Sequence, residues 1–472
     1  MNHLYINKAW CESINKKTWP LINPADETVI INLSFGDESD FELAAEVAEK
    51  SFHTWKNESA NKKSIILKQI AQNILKNLKN FALDTVKETG KPFMEAEGEW
   101  KVAAQFFDFY SEEVKRNFGK IINPGGGEKY SHIIFQPIGV VGVITSWNFP
   151  AYNPARAVSA AIAAGCSVIL KGSAYTQLTS INFAKAIDES DLPAGVFNLV
   201  NGDATKIGDA IMKSKIVRKV SFTGSTSIGK MLMEQSHFTN KKLSLELGGN
   251  APVIIEKDQE VATIAQKALT AKLRNCGQVC VSPQRFYVHK DIYSEFIAEV
   301  INQLNKIKLG INDEKENFLG PLMNKNQVKT VTKIIDNATS EGCKIHAIEN
   351  KMPSGYFVPP TIIEATQKNV CIKDEIFGPV MIVIPFETKE EVVAWANDTD
   401  YGLASYVFTN QLDLVKFYTE NLEFGMIGVN EWAAHGTHLP FAGWKNSGMG
   451  VESGAEGMKE YLELKLITFS GK

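Results

Sequence analysis

Apolar residues recur at helical spacing at Phe41, Ala44, Ala45, Ala48, Phe52 and Trp55, and a second apolar stripe runs from Ile65 to Leu78. The first hundred residues therefore read mainly as helix. From about residue 138 the pattern changes to short β-rich runs separated by amphipathic stretches: VVGVITS (140–146), SVILK (167–171), VFNLV (196–200), KVSFTG (219–224), KLSLEL (242–247) and APVIIE (251–256). Strand alternating with helix implies βαβ units and a parallel sheet covered on both faces. The apolar stretch from Ala157 to Leu170 is interrupted by Ser159, Gly165 and Ser167, and predicts a buried helix running into a strand. A second alternation begins after residue 257, with a helix from Ala262 to Leu273, a strand at RFYVH (285–289), a helix at 291–307 and strands at VMIVIPF (380–386) and SYVFT (405–409). The join near Leu247 to Asn250 is a natural cleft, because ligands of open α/β folds collect beyond strand ends and between domains. Two pieces fit neither unit. Residues 119–138 predict a hairpin around a Gly triplet, and EYLELKLITFS (460–470) alternates like an edge strand; together they suggest pairing between subunits.

Composition narrows the function classes. A chain of 472 residues calls for two or three domains, and 50 basic against 54 acidic residues give a net charge of −4, which argues against nucleic acid or an anionic membrane as partner. No apolar run approaches the ~18 residues of a membrane span, and the N-terminus MNHLYINKAWCES lacks the basic start and apolar stretch of an export signal. Six cysteines in a chain of this length are no disulfide scaffold, so a cytoplasmic location is expected. Only five of the basic residues are arginine: Arg116, Arg156, Arg218, Arg274 and Arg285. Where lysine serves almost every generic cation, an arginine is a candidate for a specific role; Arg116 and Arg218 read as surface cations all the same.

Several short strings carry chemistry. RNCGQVCVSPQR (274–285) ends a helical pattern at a Gly and sets Cys280 in a polar loop bracketed by Arg274 and Arg285, a setting for a nucleophilic thiolate; an inert buried cysteine is the alternative. LELGGNAP (245–252) puts Glu246 at a strand end, as a general base or a solvated carboxylate, before two glycines that permit close approach. SWNFP (146–150) places Asn148 at a sheet edge where an oxyanion could use its amide. FTGSTSIG (222–229) is a Gly-rich strand-to-helix turn of the kind that receives phosphate, although it is not GxGxxG. KGSA (171–174) offers Lys171 to ribose or phosphate, and EIFGPV (375–380) sets Glu375 beside Phe377.

SWNFP, FTGSTxxG, LELGGNAP, GQVC and EIFGP, in this order and at these separations, resemble the NAD(P)-dependent aldehyde dehydrogenase superfamily. The resemblance runs from YINKAW (5–10) through LGPL (319–322) and PFAGWKNSG (440–448) to the C-terminal strand. It implies an α/β fold of two domains with parallel-type sheets plus a β-hairpin oligomerisation extension. The Rossmann-like cofactor domain would hold 1–118 and 139–247, the catalytic domain 248–456, and the extension 119–138 and 457–472, assembled as a homodimer or homotetramer. Carried over, Cys280 is the nucleophile, Glu246 the base, and Asn148 with the Cys280 backbone N–H the oxyanion hole. Lys171 and Glu375 would hold the cofactor riboses, and Gly224, Ser225 and Gly229 the pyrophosphate, with Trp147, Ala174, Gly208, Leu247 and Phe377 completing the cofactor surface. The family chemistry runs through a thiohemiacetal and a thioester on Cys280 and needs no metal. Relatives that acylate coenzyme A resemble this layout but lack the Glu, so Glu246 favours hydrolysis.

The resemblance is nearest to the succinate-semialdehyde and 2-oxoglutarate-semialdehyde branch, in which two arginines grip the distal carboxylate. Arg156 and Arg285 match those positions, which implies a short dicarboxylic semialdehyde; neutral, aromatic and betaine-type aldehydes are the alternative. The loop EWAAHGTHLPF departs from the branch and sets His435, as a protonated carboxylate donor or a packing residue, where the branch has a Ser. Many NAD-preferring relatives carry KPxE where this chain has Ala174 after Lys171, so the expectation leans to NADP over NAD. Cys276, four residues before Cys280, is either a spare buried thiol or the partner in a reversible disulfide.

Overall fold

The computed structural model describes residues 3–123, 129–310, 318–349 and 352–470. The predicted β-rich runs condense into two sheets. The first has eight strands, and its centre is five parallel ones in the spatial order Phe197–Leu199, Ser167–Lys171, Val140–Ile144, Val217–Thr223 and Lys242–Glu246. Phe197–Leu199, Ser167–Lys171 and Val140–Ile144 are buried along almost their whole length, as strands covered by helices on both sides must be. The second has seven strands, parallel throughout except where Lys344–Ala347 pairs antiparallel with Thr361–Glu364; Pro283–His289 and Ala251–Ile255 lie at its middle. A separate core surrounds each sheet.

Two features depart from the sequence reading. The first 34 residues hold four strands, Leu4–Ile6, Ala9–Cys11, Thr18–Ile22 and Val29–Ser34, where helix was expected to dominate. They are three to six residues long, too short for a period to show, and Tyr5 docks antiparallel on Leu199 in a contact no local pattern encodes. The chain also does not stay in its second unit up to residue 456. Gly448–Met449 returns to the first sheet, pairing antiparallel with Leu245 and Glu246, and Met458, Tyr461 and Leu462 enter the core of the first unit.

The hairpin strands Lys120–Ile122 and Lys129–Pro137 pair antiparallel, and the Gly triplet between them lies outside the described residues. Leu462–Ser470 pairs with Lys129–Pro137 along nine residues and forms the edge of this third sheet. Ile121, Ile122, Leu464, Leu466 and Phe469 stand exposed on it.

The predicted run from helix to strand at 157–170 is the helix Tyr152–Ala164, ended by Gly165 in the left-handed region at φ 97°, followed by the strand Ser167–Lys171. This helix is buried almost all round, so its first N–H groups need partners inside the protein. Glu99 supplies them: its Oε1 accepts from the amides of Ala151 (2.7 Å) and Tyr152 (3.2 Å). Its other oxygen meets Lys91 at 2.5 Å, and Lys91 also donates to the Asn148 carbonyl at 2.9 Å. A buried ion pair thereby ties the helix N-terminus to the backbone of Asn148.

Candidate active site

A cavity of about 660 Å³ opens between the two sheets, at the carboxyl ends of the parallel strands of the first, and Asn148, Lys171, Glu246, Cys280 and Glu375 all line it. Strings far apart in the chain thus meet: Asn148, Lys171 and Glu246 end or follow strands of the first sheet, while Cys280 and Glu375 lie in loops that lead into the strands Pro283–His289 and Val380–Phe386 of the second.

Cys280 sits half-buried in a turn. The preceding loop is held by Asn275 and Cys276, both in the left-handed region (φ 49° and 56°), and by Gly277 at φ 72°. Burial pushes the Cys280 thiol up to about 12, with Arg156 opposing and Glu246 and Glu375 adding to the rise. Glu246 is buried at 2% exposure, and neither carboxylate oxygen has a hydrogen-bond partner. Its carboxyl is held well above the usual carboxylate range by desolvation, opposed by Arg156 and reinforced by Glu452. The solvated alternative for Glu246 is excluded by this burial.

Asn148 is oriented by its neighbours. Its Oδ1 accepts from Ser146 Oγ (2.7 Å) and Asn153 Nδ2 (3.3 Å), while Nδ2 donates to the Gln278 carbonyl at 3.1 Å. An amide nitrogen has two protons, so one remains for the cavity that Asn148 lines.

The glycines of LELGG serve two approaches. A Cβ on Gly248 would stand 2.6 Å from Glu375 Oε2, and one on Gly249 2.2 Å from the Cys280 carbonyl. Glu375 Oε1 accepts from the Gly249 amide at 3.0 Å, and burial pushes its carboxyl up to about 7. Lys171 is buried at 4% exposure and pushed down to about 8 by desolvation. It is no surface lysine. Ala174, Gly208, Leu247 and Phe377 also line the cavity, and Trp147 meets Phe377 edge to face at 5.5 Å. Ser225 immediately precedes the helix Thr226–Ser236 and, with Gly224, places that N-terminus on the cavity wall. Gly229 is not on the wall: a Cβ there would lie 2.5 Å from Leu247, so it lets the helix pack against the strand end. A buried lysine, a helix N-terminus and a wall of Ile228, Met231 and Leu232 fit the ribose, phosphates and base of a dinucleotide.

One expected substrate residue is elsewhere. Arg285 is fully buried in the second sheet, donating to the carbonyls of Asn250, Trp395 and Ala396 and to Tyr287 Oη. Its place on the strand Pro283–His289 turns it away from Cys280, and it is not among the cavity residues. Arg274, on the other side of the same loop, is on the wall instead, 5.1 Å over the Phe149 ring, with no acidic partner among the described residues. Arg156 lines the cavity too, fully buried, between the rings of Phe441 (4.5 Å) and Tyr152 (5.5 Å). His435 is present too, where burial beside Arg274 and Arg156 pushes its imidazole down to about 4, the direction that favours the neutral ring. Arg116 and Arg218 are exposed, as expected. Cys276 is buried beneath the loop and both it and Cys280 are free thiols. No cluster of three or more metal-binding side chains occurs among the described residues.

Sequence reasoning named Arg274 only as a flank of the loop, and it passed over Tyr152, Phe441 and Glu452. The scarcity of arginine was the available signal for the first; nothing local distinguishes the others.

Comparison with known proteins accords with this geometry. Residues 10–467 match the model of the aldehyde dehydrogenase family. A succinate semialdehyde dehydrogenase of Acinetobacter baylyi is 39% identical, over 98% of this chain and 96% of that protein. A glutarate-semialdehyde dehydrogenase of Pseudomonas putida is 36% identical, over 99% and 97%. The crystal structure of succinate-semialdehyde dehydrogenase from Burkholderia pseudomallei superposes with a TM-score of 0.97 at 34% identity, covering 100% of this chain and 98% of that one. With a family match spanning nearly all its residues and the fold to go with it, this chain belongs to the aldehyde dehydrogenase family, NAD(P)-dependent oxidoreductases.

Proposed function

We propose that this protein oxidises short aldehydes bearing a distal carboxylate, succinate semialdehyde foremost, to the dicarboxylic acid, with NADP preferred over NAD. The observation that carries the substrate class is Arg274, a guanidinium with no ionic partner among the described residues, on the wall of the cavity that holds Cys280. A guanidinium offers a carboxylate two parallel hydrogen bonds. Relatives named for succinate and glutarate semialdehydes agree with an anionic aldehyde.

In this reading Cys280 Sγ adds to the aldehyde carbon and its proton passes to ionised Glu246, whose raised carboxyl holds a proton more strongly than an ordinary carboxylate does. The free N–H of Asn148 and the Cys280 amide stabilise the resulting alkoxide. The bound dinucleotide supplies the acceptor for the departing hydride. Glu246 releases that proton to solvent through the open cavity, and the thioester left on Cys280 is then hydrolysed by water that the ionised Glu246 deprotonates. Lys171 and Glu375 would hold the riboses, and the helix at Ser225 the pyrophosphate. Ala174 presents no negative charge to a 2′-phosphate, and Asp209, an acid on this wall, is engaged by Gln235 at 3.0 Å.

The same reading takes the apolar face of the three-stranded sheet as the contact between copies in a homodimer or homotetramer. It places the enzyme in the cytosol on account of its free thiols; among the described residues no helix is long and apolar enough to cross a membrane. The test is absorbance at 340 nm with NAD or NADP and a panel of succinate semialdehyde, 2-oxoglutarate semialdehyde, betaine aldehyde, benzaldehyde and butanal, alongside Arg274→Ala. The expected result is highest kcat/KM for an anionic semialdehyde and a raised KM for it alone in the variant. A neutral or cationic aldehyde as best substrate, with the variant indifferent, rejects the reading.

A further inference from the structure

Cys343 and Cys371 are not among the cavity residues, yet the fold brings their thiols together. The helix Lys325–Ser340 ends in a Schellman motif: Gly342 is left-handed at φ 81°, its amide donates to the Thr339 carbonyl, and the Cys343 amide donates to the Ala338 carbonyl, both at 3.0 Å. That motif fixes where Cys343 leaves the helix. Glu341, at the same corner, accepts at 3.0 Å from both Asn369 Nδ2 and the Val370 amide, and so fastens the short 3-10 turn Val370–Ile372 to the helix end. Cys371 is the middle residue of that turn. Its side chain enters the core of the second unit, Cys343 packs against the same core, and the two thiols hydrogen-bond to each other. Neither is in a disulfide.

The two sulfurs differ in access. Cys343 is half-buried, whereas Cys371 is 5% exposed and burial pushes its thiol up to about 12. Burial raises Cys343 as well, but the Cys371 S–H that donates to it acts in the opposite direction and favours its thiolate. The more accessible sulfur thus has a second thiol aimed at it from behind, the layout of an attacking and a resolving cysteine.

We propose that Cys343 and Cys371 form a redox modification site, separate from Cys280, which hydroperoxides convert to a disulfide. The Cys343 sulfur attacks one peroxide oxygen. The O–O bond breaks, an S–O bond forms to give the sulfenic acid, and the other oxygen leaves with the Cys343 proton as water, or as an alcohol from an organic hydroperoxide. Cys371 Sγ then attacks the sulfenic sulfur: the S–S bond forms, the S–O bond breaks, and the hydroxyl leaves with the Cys371 proton as a second water. Two thiols are oxidised by two electrons in all, and the peroxide takes up both. None of this depends on which aldehyde the enzyme oxidises.

The site stands at the root of the loop that carries Glu375, and that loop has its own clamp. Asn250 Nδ2 donates to the carbonyls of Ile372 (2.8 Å) and Lys373 (3.0 Å). Gln284 Nε2 donates to the Asp374 carbonyl at 2.8 Å, and Gln284 Oε1 accepts from the Ile376 amide at 2.9 Å. These bonds stand between the thiols and Glu375, so the disulfide staples the helix end to the loop root and leaves the cofactor carboxylate in place. Its effect is resistance to unfolding, because the cross-link restricts the unfolded chain.

The experiment treats the full-length enzyme with hydrogen peroxide, alkylates the remaining thiols and maps unreduced tryptic peptides by mass spectrometry. The expected product is a peptide pair joined through Cys343 and Cys371, two hydrogens lighter than its parts and separated by dithiothreitol. Peroxide also attacks Cys280, so cofactor binding is read by NAD fluorescence rather than by turnover. The oxidised enzyme is expected to have a higher urea midpoint than the same sample after reduction, with NAD affinity equal in the two. Cys343→Ser, treated identically, is expected to show no such difference; it is the deciding variant, since Cys371→Ser would put a hydroxyl into the core. Recovery of Cys343 as a free thiol or a sulfinic acid, with Cys371 still free, overturns the proposal. A disulfide that leaves the midpoint unchanged, or that alters NAD affinity, overturns it equally.

Discussion

Glu246 is a carboxylate with no hydrogen-bond partner, buried beside a thiol that burial itself keeps protonated. Left ionised, such a group is expensive, and the raised pKa is the relief. Because an acid with a raised pKa must lose its proton before it can act, kcat should climb with pH along a limb well above the ordinary carboxylate range. Glu246→Gln removes both the acceptor for the Cys280 proton and the base for hydrolysis, so it should release about one equivalent of reduced cofactor per subunit slowly, without a rapid burst, and then stall as the thioester, which intact-mass measurement would detect as an acyl adduct on Cys280. Glu375 gives a second titration. Pushed up to about 7, it gains its charge as pH rises from about 6 to about 8, so NAD affinity, measured directly by fluorescence, should strengthen over that window and be flat in Glu375→Gln. Cys280, Glu246 and Asn148 were legible because each sits in a distinctive string at a strand end. Arg285 misled for the same reason: five residues after Cys280 it looks adjacent, yet a strand begins at Pro283 and carries it into the core. Distance along the chain is a poor guide once the backbone straightens.

Among the elements, loops rather than helices hold the narrowest tolerances. Gly277 is at φ 72°, and a Cβ there would lie 2.1 Å from the Gly378 carbonyl, so the Cys280 loop and the Glu375–Phe377 loop are in backbone contact. Gly277→Ala combines left-handed strain with overpacking and should cost roughly 2–4 kcal/mol, seen as a lowered midpoint in urea. Strands longer than about five residues and the amphipathic helices announce themselves by period. The short strands of the first 34 residues do not, nor does Gly448–Met449, which is defined by its partner rather than by its own two residues. Such elements are products of tertiary contact, and a reading confined to local pattern passes over them.

At the scale of the whole molecule, the apolar side chains on the three-stranded sheet are the feature a solitary chain does not explain. Leu464, Leu466 and Phe469 are exposed along an edge strand, with Ile121 and Ile122 on the same sheet. Leu464→Asp with Leu466→Asp should shift the protein to monomer in analytical ultracentrifugation while leaving its circular dichroism unchanged. The division into two α/β units was readable from the change of texture after residue 257. The return of the chain to its first unit was not, because two residues of strand leave no trace in a hydropathy pattern.

That return bears on how the protein is made. Leu245 and Glu246 acquire their last neighbours only from Gly448 and Met449, about two hundred positions further on. While the ribosome is still producing the middle of the chain, the strand bearing Glu246 is the unprotected rim of a half-built sheet, open to any other nascent segment seeking a partner. Maturation of the base is thereby deferred to the closing moments of synthesis. A chain arrested shortly before residue 448 would carry Cys280, Asn148 and Glu246 and still leave that rim unsealed.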